Sequence, residues 1–131
     1  MAGLVVNGGL DYLDSVTVAS DCSSWQVALY SNNHTPGNTD TLGTYTLVSG
    51  SGIGTQVPGF TVASAGAGSK TITSALMNFI CTASLGVSAY GYCVFSSGGT
   101  LIWAELFSGG PYALTAAGDG VQLTVVLTDQ N

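Results

Sequence analysis

The only histidine in the sequence is the first residue to consider for chemistry. His34 lies in the stretch NNHTPG, and Asp40 is the only acidic residue near it. General acid-base catalysis needs a histidine held close to a nucleophile and oriented by a carboxylate. Pro36 and Gly37, which follow His34, are typical of an exposed turn. We therefore predict that the chain is not an enzyme and has no catalytic residue.

A lysine within a glycine-rich stretch is the second candidate. Residues 66–71 read GAGSKT and contain the residue types of a phosphate-binding loop. Such a loop requires glycine directly before the lysine and a helix after it. Here Ser69 precedes Lys70, and residues typical of a β-strand follow. We interpret the stretch as a flexible turn and predict no cofactor.

Acidic side chains near the N-terminus raise the question of a calcium site. Asp11, Asp14 and Asp21 are present, but the spacing of a calcium-binding loop is absent. We interpret them as solvated acids near the start of a helix. Asp119, in the sequence GDG, is typical of a turn. The sequence therefore predicts no metal site.

The sequence contains an odd number of cysteines. Cys22, Cys81 and Cys93 have spacings that match no metal-binding pattern. At least one thiol must stay unpaired within a monomer. We predict that all three are small apolar core residues with free thiols, and a disulfide between Cys81 and Cys93 is the alternative.

Ionic groups are scarce throughout the chain. Of the 131 residues, 46% are apolar and 6% are charged, the net charge is −6, and Lys70 is the only base. Nucleic acids and anionic membrane surfaces attract several lysine or arginine side chains, so we predict neither as a partner. A surface with few charges favours association. We predict that the chain packs against copies of itself or against other proteins.

The first residues, MAGLVVNGGLDYLD, contain neither the basic stretch nor the long apolar run of a secretory signal. Apolar runs elsewhere are too short to cross a bilayer as a helix. On these grounds we expect the chain to be cytosolic when it is synthesised.

The elements that must position these residues are predicted to be β-strands, because short apolar segments alternate with turn-rich clusters. The sequence predicts one all-β domain over residues 1–131. It comprises an N-terminal arm or short helix over residues 1–15 and an antiparallel, jelly-roll-like β-sandwich over residues 16–131. Asn7 is the candidate cap of a helix over residues 8–15. About eight strands are predicted, over residues 16–19, 25–30, 44–48, 59–63, 71–82 with an interruption, 87–95, 100–107 and 121–128.

Two apolar segments joined by SSGG, residues 96–99, predict a hairpin. With a loop of two or four residues, opposite positions have numbers whose sum is odd, and the side chains fall into two sets. One set is mostly small: Ala89, Gly91, Cys93, Phe95, Ile102, Ala104 and Leu106. The other is broad and mainly aromatic: Tyr90, Tyr92, Val94, Trp103, Glu105 and Phe107. We predict the second set on the outer face, whereas a three-residue loop or a bulge would reverse the assignment.

The outer set supplies the candidate binding residues Tyr90, Tyr92, Trp103, Glu105 and Phe107. Aromatic side chains are enriched at protein interfaces, so protein contact is the first interpretation. A stacking platform for a carbohydrate is the alternative. A buried glutamate is costly unless it is paired, so Glu105 is expected at the edge of an interface or beside a tyrosine hydroxyl.

Four segments resemble small virion structural proteins of tailed bacteriophages. They are residues 1–14 (MAGLVVNGGLDYLD), 25–37 (WQVALYSNNHTPG), 91–107 (GYCVFSSGGTLIWAELF) and 117–128 (AGDGVQLTVVLT). Such proteins are small and β-rich, and they are capsid decoration (cement) proteins or small tail or fibre components. The resemblance implies a place in the virion and no enzymatic site. This chain departs from that group in its near lack of basic residues.

The resemblance implies a non-catalytic decoration protein that is assembled in the host cytoplasm. Its expected partners are further copies of itself, in a trimer or another symmetric oligomer, and the major capsid protein. The alternative is a tail or fibre component that binds a host receptor or carbohydrate through Tyr90, Tyr92, Trp103 and Glu105.

Overall fold

The computed structural model describes residues 4–5, 22–64 and 69–130. The predicted helix over residues 8–15 and the predicted strand over residues 16–19 lie outside this part of the chain. No helix among the described residues is long and apolar enough to span a membrane.

The described residues form strands joined by turns and two short 3-10 helices, Cys22–Ser24 and Leu42–Thr44. Every strand pair is antiparallel, which confirms the all-β prediction. The strands are β1 (Leu4–Val5), β2 (Gln26–Tyr30), β3 (Thr61–Ser64), β4 (Ser69–Thr73), β5 (Met77–Ile80), β6 (Val87–Ala89), β7 (Gly91–Phe95), β8 (Leu101–Leu106), β9 (Tyr112–Leu114), β10 (Gly120–Leu123) and β11 (Val126–Gln130).

The strands are more numerous than predicted, because backbone partners change in the middle of long apolar runs. The predicted interruption of the strand 71–82 is confirmed and begins at Ser74, whose N–H donates to the carbonyl of Val125 while its hydroxyl accepts from the N–H of Val125. The predicted strand 87–95 is interrupted at Tyr90, whose N–H donates to the carbonyl of Tyr30. As a result β6 pairs with β9, whereas β7 pairs with β2 and β8.

The predicted strand over residues 44–48 is wrong. A 3-10 turn covers Leu42–Thr44, and Leu47 makes only an isolated bridge with Tyr30. The Asn32 side chain bonds two backbone groups of this segment, since it donates to the carbonyl of Thr44 and accepts from the N–H of Thr46. The strand β9 was not predicted, because three residues are too few to display an alternating pattern.

Four sheets build the fold, with the strand orders β1-β8-β7-β2, β11-β4-β3, β10-β5 and β6-β9. The main core contains side chains from one face of the four-stranded sheet together with side chains from β4, β5, β10 and β11. Trp25, Ile72 and Phe79 lie at its centre and are fully buried. This core therefore lies between two layers of strands, as in a sandwich. A jelly-roll connection of the strands stays a prediction.

A second apolar cluster covers the opposite face of the four-stranded sheet. It contains Ala28, Tyr30, Cys93 and Ala104 from the sheet, and Tyr45 from the loop that follows β2. The four-stranded sheet is therefore buried on both faces. This explains why β7 is a continuous run of buried residues rather than an alternating one.

Gly91 is the position where this double burial leaves the least room. A Cβ there would collide with the carbonyl oxygen of Glu105 and would lie 2.5 Å from the hydroxyl oxygen of Tyr30. We predict that Gly91→Ala lowers the free energy of unfolding by at least about 2 kcal/mol in urea denaturation, because the sheet must move to admit the methyl group.

Gly54→Ala is the matched control, since a Cβ at Gly54 meets nothing within 4 Å and its backbone lies outside the left-handed region. Its unfolding free energy should stay within about 0.5 kcal/mol of the unmodified chain. Equal effects of the two substitutions would contradict the described packing at Gly91.

Candidate functional site

The predicted hairpin register is confirmed around Tyr92. Tyr92 lies opposite Glu105 and Val94 lies opposite Trp103, so these four side chains share one face. The Tyr92 hydroxyl donates to Glu105 Oε1 at 2.7 Å, and Trp103 Nε1 donates to the Tyr92 hydroxyl at 3.1 Å. Glu105 therefore lies beside a tyrosine hydroxyl, as one of the two expected placements required.

The prediction that this face is the outer one is wrong. Tyr92 is only 4% exposed and Val94 is fully buried, and both belong to the main core. Trp103, Glu105 and Phe107 are half-buried at its margin. The prediction required one face of the hairpin to be exposed to solvent. In the structure the second layer of strands covers this face, and the loop after β2 covers the other.

Three predicted members of the faces change sides. Tyr90 packs against the second cluster, because the chain breaks between β6 and β7 at this residue. Ile102 joins the main core, because the register shifts between Val94 and Phe95. Ala89, which precedes the break at Tyr90, also joins the main core. In a bulge one strand carries an extra residue, here Ile102, which changes face while the residues after it keep their predicted faces.

Burial and hydrogen bonding both affect the pKa of the Tyr92 hydroxyl. Burial, followed by the hydrogen bond to the Glu105 carboxylate, raises the pKa of the Tyr92 hydroxyl well above its usual value. The phenol therefore stays protonated and can donate to Glu105. The network satisfies polar groups at the margin of the core and holds the Trp103 ring in place.

A cleft of about 320 Å³ opens next to this network. It is lined by Phe107, Tyr112 and the strand β10 from Gly120 to Leu123. The Phe107 ring centroid lies 6.0 Å from that of Tyr92 and 5.4 Å from that of Tyr112. Tyr112 is 40% exposed. Of the predicted candidates only Phe107 lines this cleft, while Tyr90 and Phe107 line a smaller one of about 160 Å³ beside Pro111.

His34 and Asp40, which the sequence offered as a histidine with a nearby carboxylate, also lie together in the structure. His34 Nε2 lies 2.8 Å from Asp40 Oδ2, and the same oxygen accepts from the Tyr45 hydroxyl at 2.6 Å and from the N–H of Gly37 at 2.8 Å. The Tyr30 hydroxyl donates to the carbonyl oxygen of His34 at 3.0 Å. These bonds fix the loop after β2 onto the second cluster.

The carboxylate of Asp40 is the hub of this loop. Its partial burial would raise the pKa of the carboxyl group, but hydrogen bonds from Tyr45, Gly37 and His34 outweigh burial and lower the pKa below the usual value. Burial, with the bond to Asp40, raises the pKa of Tyr45. Tyr45 was not identified as a candidate from the sequence, because residues 44–48 were predicted to form a strand.

All three cysteines are buried, and Cys81 and Cys93 are free thiols, so the alternative of a disulfide between them is wrong. The Cys81 thiol lies 3.0 Å from the carbonyl oxygen of Ala116 and 3.1 Å from that of Asp119. Cys93 belongs to the second cluster, where burial raises the pKa of its thiol. A protonated, inaccessible thiol is a poor nucleophile.

Asp119 occupies the turn that the sequence predicts for it. Its Oδ2 accepts from the N–H groups of Thr115 and Ala116. No group of three or more histidine, cysteine, aspartate or glutamate side chains in the described part of the chain has a metal-binding arrangement. Asp11, Asp14 and Asp21 lie outside the described residues.

No family model, curated protein or solved structure matches this chain.

We predict that Tyr92→Phe lowers the free energy of unfolding by about 1 to 3 kcal/mol, because Glu105 and the Trp103 indole each lose a partner at a buried position. Urea denaturation followed by tryptophan fluorescence measures the change. Tyr112→Phe removes the hydroxyl of an exposed tyrosine and is the matched control, with an expected change below about 0.5 kcal/mol. A control effect as large as that of Tyr92→Phe would contradict the role of the network.

The lowered pKa of Asp40 makes the anchored loop sensitive to acid. A carboxyl group whose pKa is lower in the folded state stabilises that state above its unfolded pKa, and this stabilisation is lost as the pH falls through the folded pKa. We therefore expect Asp40→Asn to be less stable than the unmodified chain at about pH 7 and the difference to shrink towards about pH 3. Thermal unfolding at several pH values tests this. A difference that does not depend on pH would contradict it.

Proposed function

We propose that this chain is a non-catalytic structural protein of a virion, a capsid decoration (cement) protein of the tailed-bacteriophage type. In this proposal it binds the major capsid lattice and further copies of itself and stabilises the particle by protein contacts. The observation that carries the proposal is an uncharged, β-branched face on the sheet β11-β4-β3.

This threonine face is formed by Thr61, Thr71, Thr73 and Val126. Thr61 and Val126 lie on either side of Thr73 in one row across three strands. Val126 is 54% exposed, Thr61 is also exposed, and Thr71 and Thr73 are half-buried. The residues between them, Val62, Ile72 and Leu127, belong to or pack against the main core. The face is therefore the outer surface of the sandwich at this sheet.

The low charge of the chain supports an adhesive role for such a face. A soluble domain normally carries about 25% charged residues, whereas this one carries 6%. A flat surface of threonine and valine can lose its water at little electrostatic cost when another protein covers it. Other large apolar side chains are exposed as well, among them Leu76 and Ile80. In a regular lattice many copies of one weak contact add up to stable attachment.

A host-receptor or carbohydrate-binding tail component is the second candidate function, and the exposed ring of Tyr112 beside Phe107 favours it. Its residues differ from those predicted, because Tyr92 is buried and its hydroxyl is engaged by Glu105. Titration with neutral saccharides should leave tryptophan fluorescence unchanged if the decoration role is right. A saturable response that is lost in Tyr112→Ala would favour the tail component.

The decoration role predicts that a charge on the threonine face weakens attachment to particles. Val126→Asp should reduce the occupancy of the chain on purified particles about tenfold or more, because the new carboxylate would be buried against the partner. Quantitative gel analysis after sedimentation of particles with added chain measures the occupancy.

Ser97→Asp is the control for this experiment, since it adds the same charge to the exposed hairpin turn. Its occupancy should remain close to that of the unmodified chain. Equal occupancy for Val126→Asp and the unmodified chain would remove the threonine face from the proposal.

A further inference from the structure

The strand β10 has a second edge along which no described residue forms a backbone hydrogen bond. On one side β10 pairs with β5, with Gly120 opposite Ile80 and Gln122 opposite Asn78. The N–H of Cys81 donates to the carbonyl of Asp119, which makes Gly120 and Ile80 a non-hydrogen-bonded pair. The peptide N–H and C=O groups of Gly120 and Gln122 therefore point away from β5. Among the described residues, none forms a backbone hydrogen bond with these four groups.

The free edge of β10 opens onto the 320 Å³ cleft. Gly120 and Gln122 line the cleft on one side, and the rings of Phe107 and Tyr112 line it on the other. A volume of this size falls in the range of ligand pockets, about 300 to 1,000 Å³. Unpaired peptide groups along one wall and apolar rings along the other suit an extended polypeptide, which offers both a backbone and side chains.

The aromatic wall is held in a fixed arrangement. The Tyr112 hydroxyl lies against Gly109, where a Cβ would be only 2.8 Å from that oxygen. The Phe107 and Tyr112 rings meet at 60° with centroids 5.4 Å apart. Because the rings already support each other, a side chain that packs against them would cost little additional ordering.

We propose that the edge of β10 accepts an extended segment of a partner protein as an added antiparallel or parallel strand. The backbone of that segment would bond with Gly120 and Gln122, and one of its apolar side chains would enter the cleft against Phe107 and Tyr112. This inference extends the proposed function, because it names the chemistry by which a neighbouring virion protein would be recognised.

Charge identifies the partner as a different protein with basic residues beside the extended segment. Asp119 directly precedes Gly120 in the chain, and Glu105 is bonded to Tyr92, whose ring centroid lies 6.0 Å from that of Phe107, so a carboxylate lies near each wall of the cleft. The chain as a whole has a net charge of −6 and Lys70 as its only base. A second copy of this chain would therefore bring mainly further negative charge, whereas a segment flanked by lysine or arginine would be attracted.

Synthetic peptides test the proposal on the unmodified chain. The probe is the end-blocked peptide KVTVTVK. The controls are EVTVTVE, which reverses the flanking charge, and KVTVTVK with methylated nitrogens at alternate peptide bonds, which cannot form the strand hydrogen bonds. Hydrogen exchange followed by NMR reports on each amide. The N–H groups of Gly120 and Gln122 should exchange rapidly in the free chain and slow about tenfold or more with KVTVTVK, but not with either control.

A proline substitution tests the edge directly. Because the N–H of Gln122 points away from β5, Gln122→Pro should leave the β5–β10 ladder intact and remove one bond to the added strand. We expect it to weaken binding of KVTVTVK about tenfold or more, while Gln122→Ala, which keeps the N–H, binds within about threefold of the unmodified chain. A melting temperature close to that of the unmodified chain shows that Gln122→Pro has folded, and if it has not, the methylated peptide decides.

The proposal would be overturned by protection of Gly120 and Gln122 in the free chain, by equal binding of the methylated peptide, or by unchanged binding by folded Gln122→Pro. Protection that rises with protein concentration alone would assign the edge to a second copy and would also overturn it. Normal attachment of folded Gln122→Pro to particles would contradict this inference but would not contradict the proposed function. Peptide binding by a chain that never attaches to particles would support this inference and contradict the proposed function.

Discussion

The burial of both faces of the four-stranded sheet is the constraint on which the rest of the structure depends. A sheet covered on two sides needs small residues wherever a loop or a second layer approaches the backbone closely. Gly91, Cys93 and Ala104 meet this need on the side of the second cluster. The loop after β2 can then lie directly on the sheet. Charged side chains find little room in such an arrangement, which agrees with the 6% charged residues of the chain.

The same constraint explains the position of the polar networks. Each network lies at the margin of a core and contains one carboxylate that accepts from a tyrosine hydroxyl, namely Glu105 with Tyr92 and Asp40 with Tyr45. A buried hydroxyl needs a partner, and a carboxylate at the margin supplies one without being fully desolvated. The resemblance of the His34 and Asp40 pair to half of a catalytic triad is therefore explained by loop anchoring. The two networks stabilise the fold and leave binding to the outer surfaces.

Much of the fold could be predicted from the sequence, because the alternating segments and the SSGG turn report local structure. The turn length predicted that Tyr92 and Glu105 share a face, whereas their direct pairing depends on the register shift beside Val94. The outward direction of that face could not be derived, because it depends on which distant segments cover the hairpin. Tyr45 and Tyr112 were missed for related reasons: the first lies in a loop that only tertiary contacts anchor, and the second lies in a three-residue strand. The free edge of β10 likewise depends on pairing that no single segment reveals.

The central claim is that the chain works by adhesion to a lattice of other proteins, and its stoichiometry in purified particles tests this most directly. Quantitative mass spectrometry of virions can compare the number of copies of this chain with that of the major capsid protein. The account predicts a fixed, repeating ratio to the capsid protein and a self-associated chain in solution. Particles without the chain, together with a stable monomer at high concentration, would contradict it.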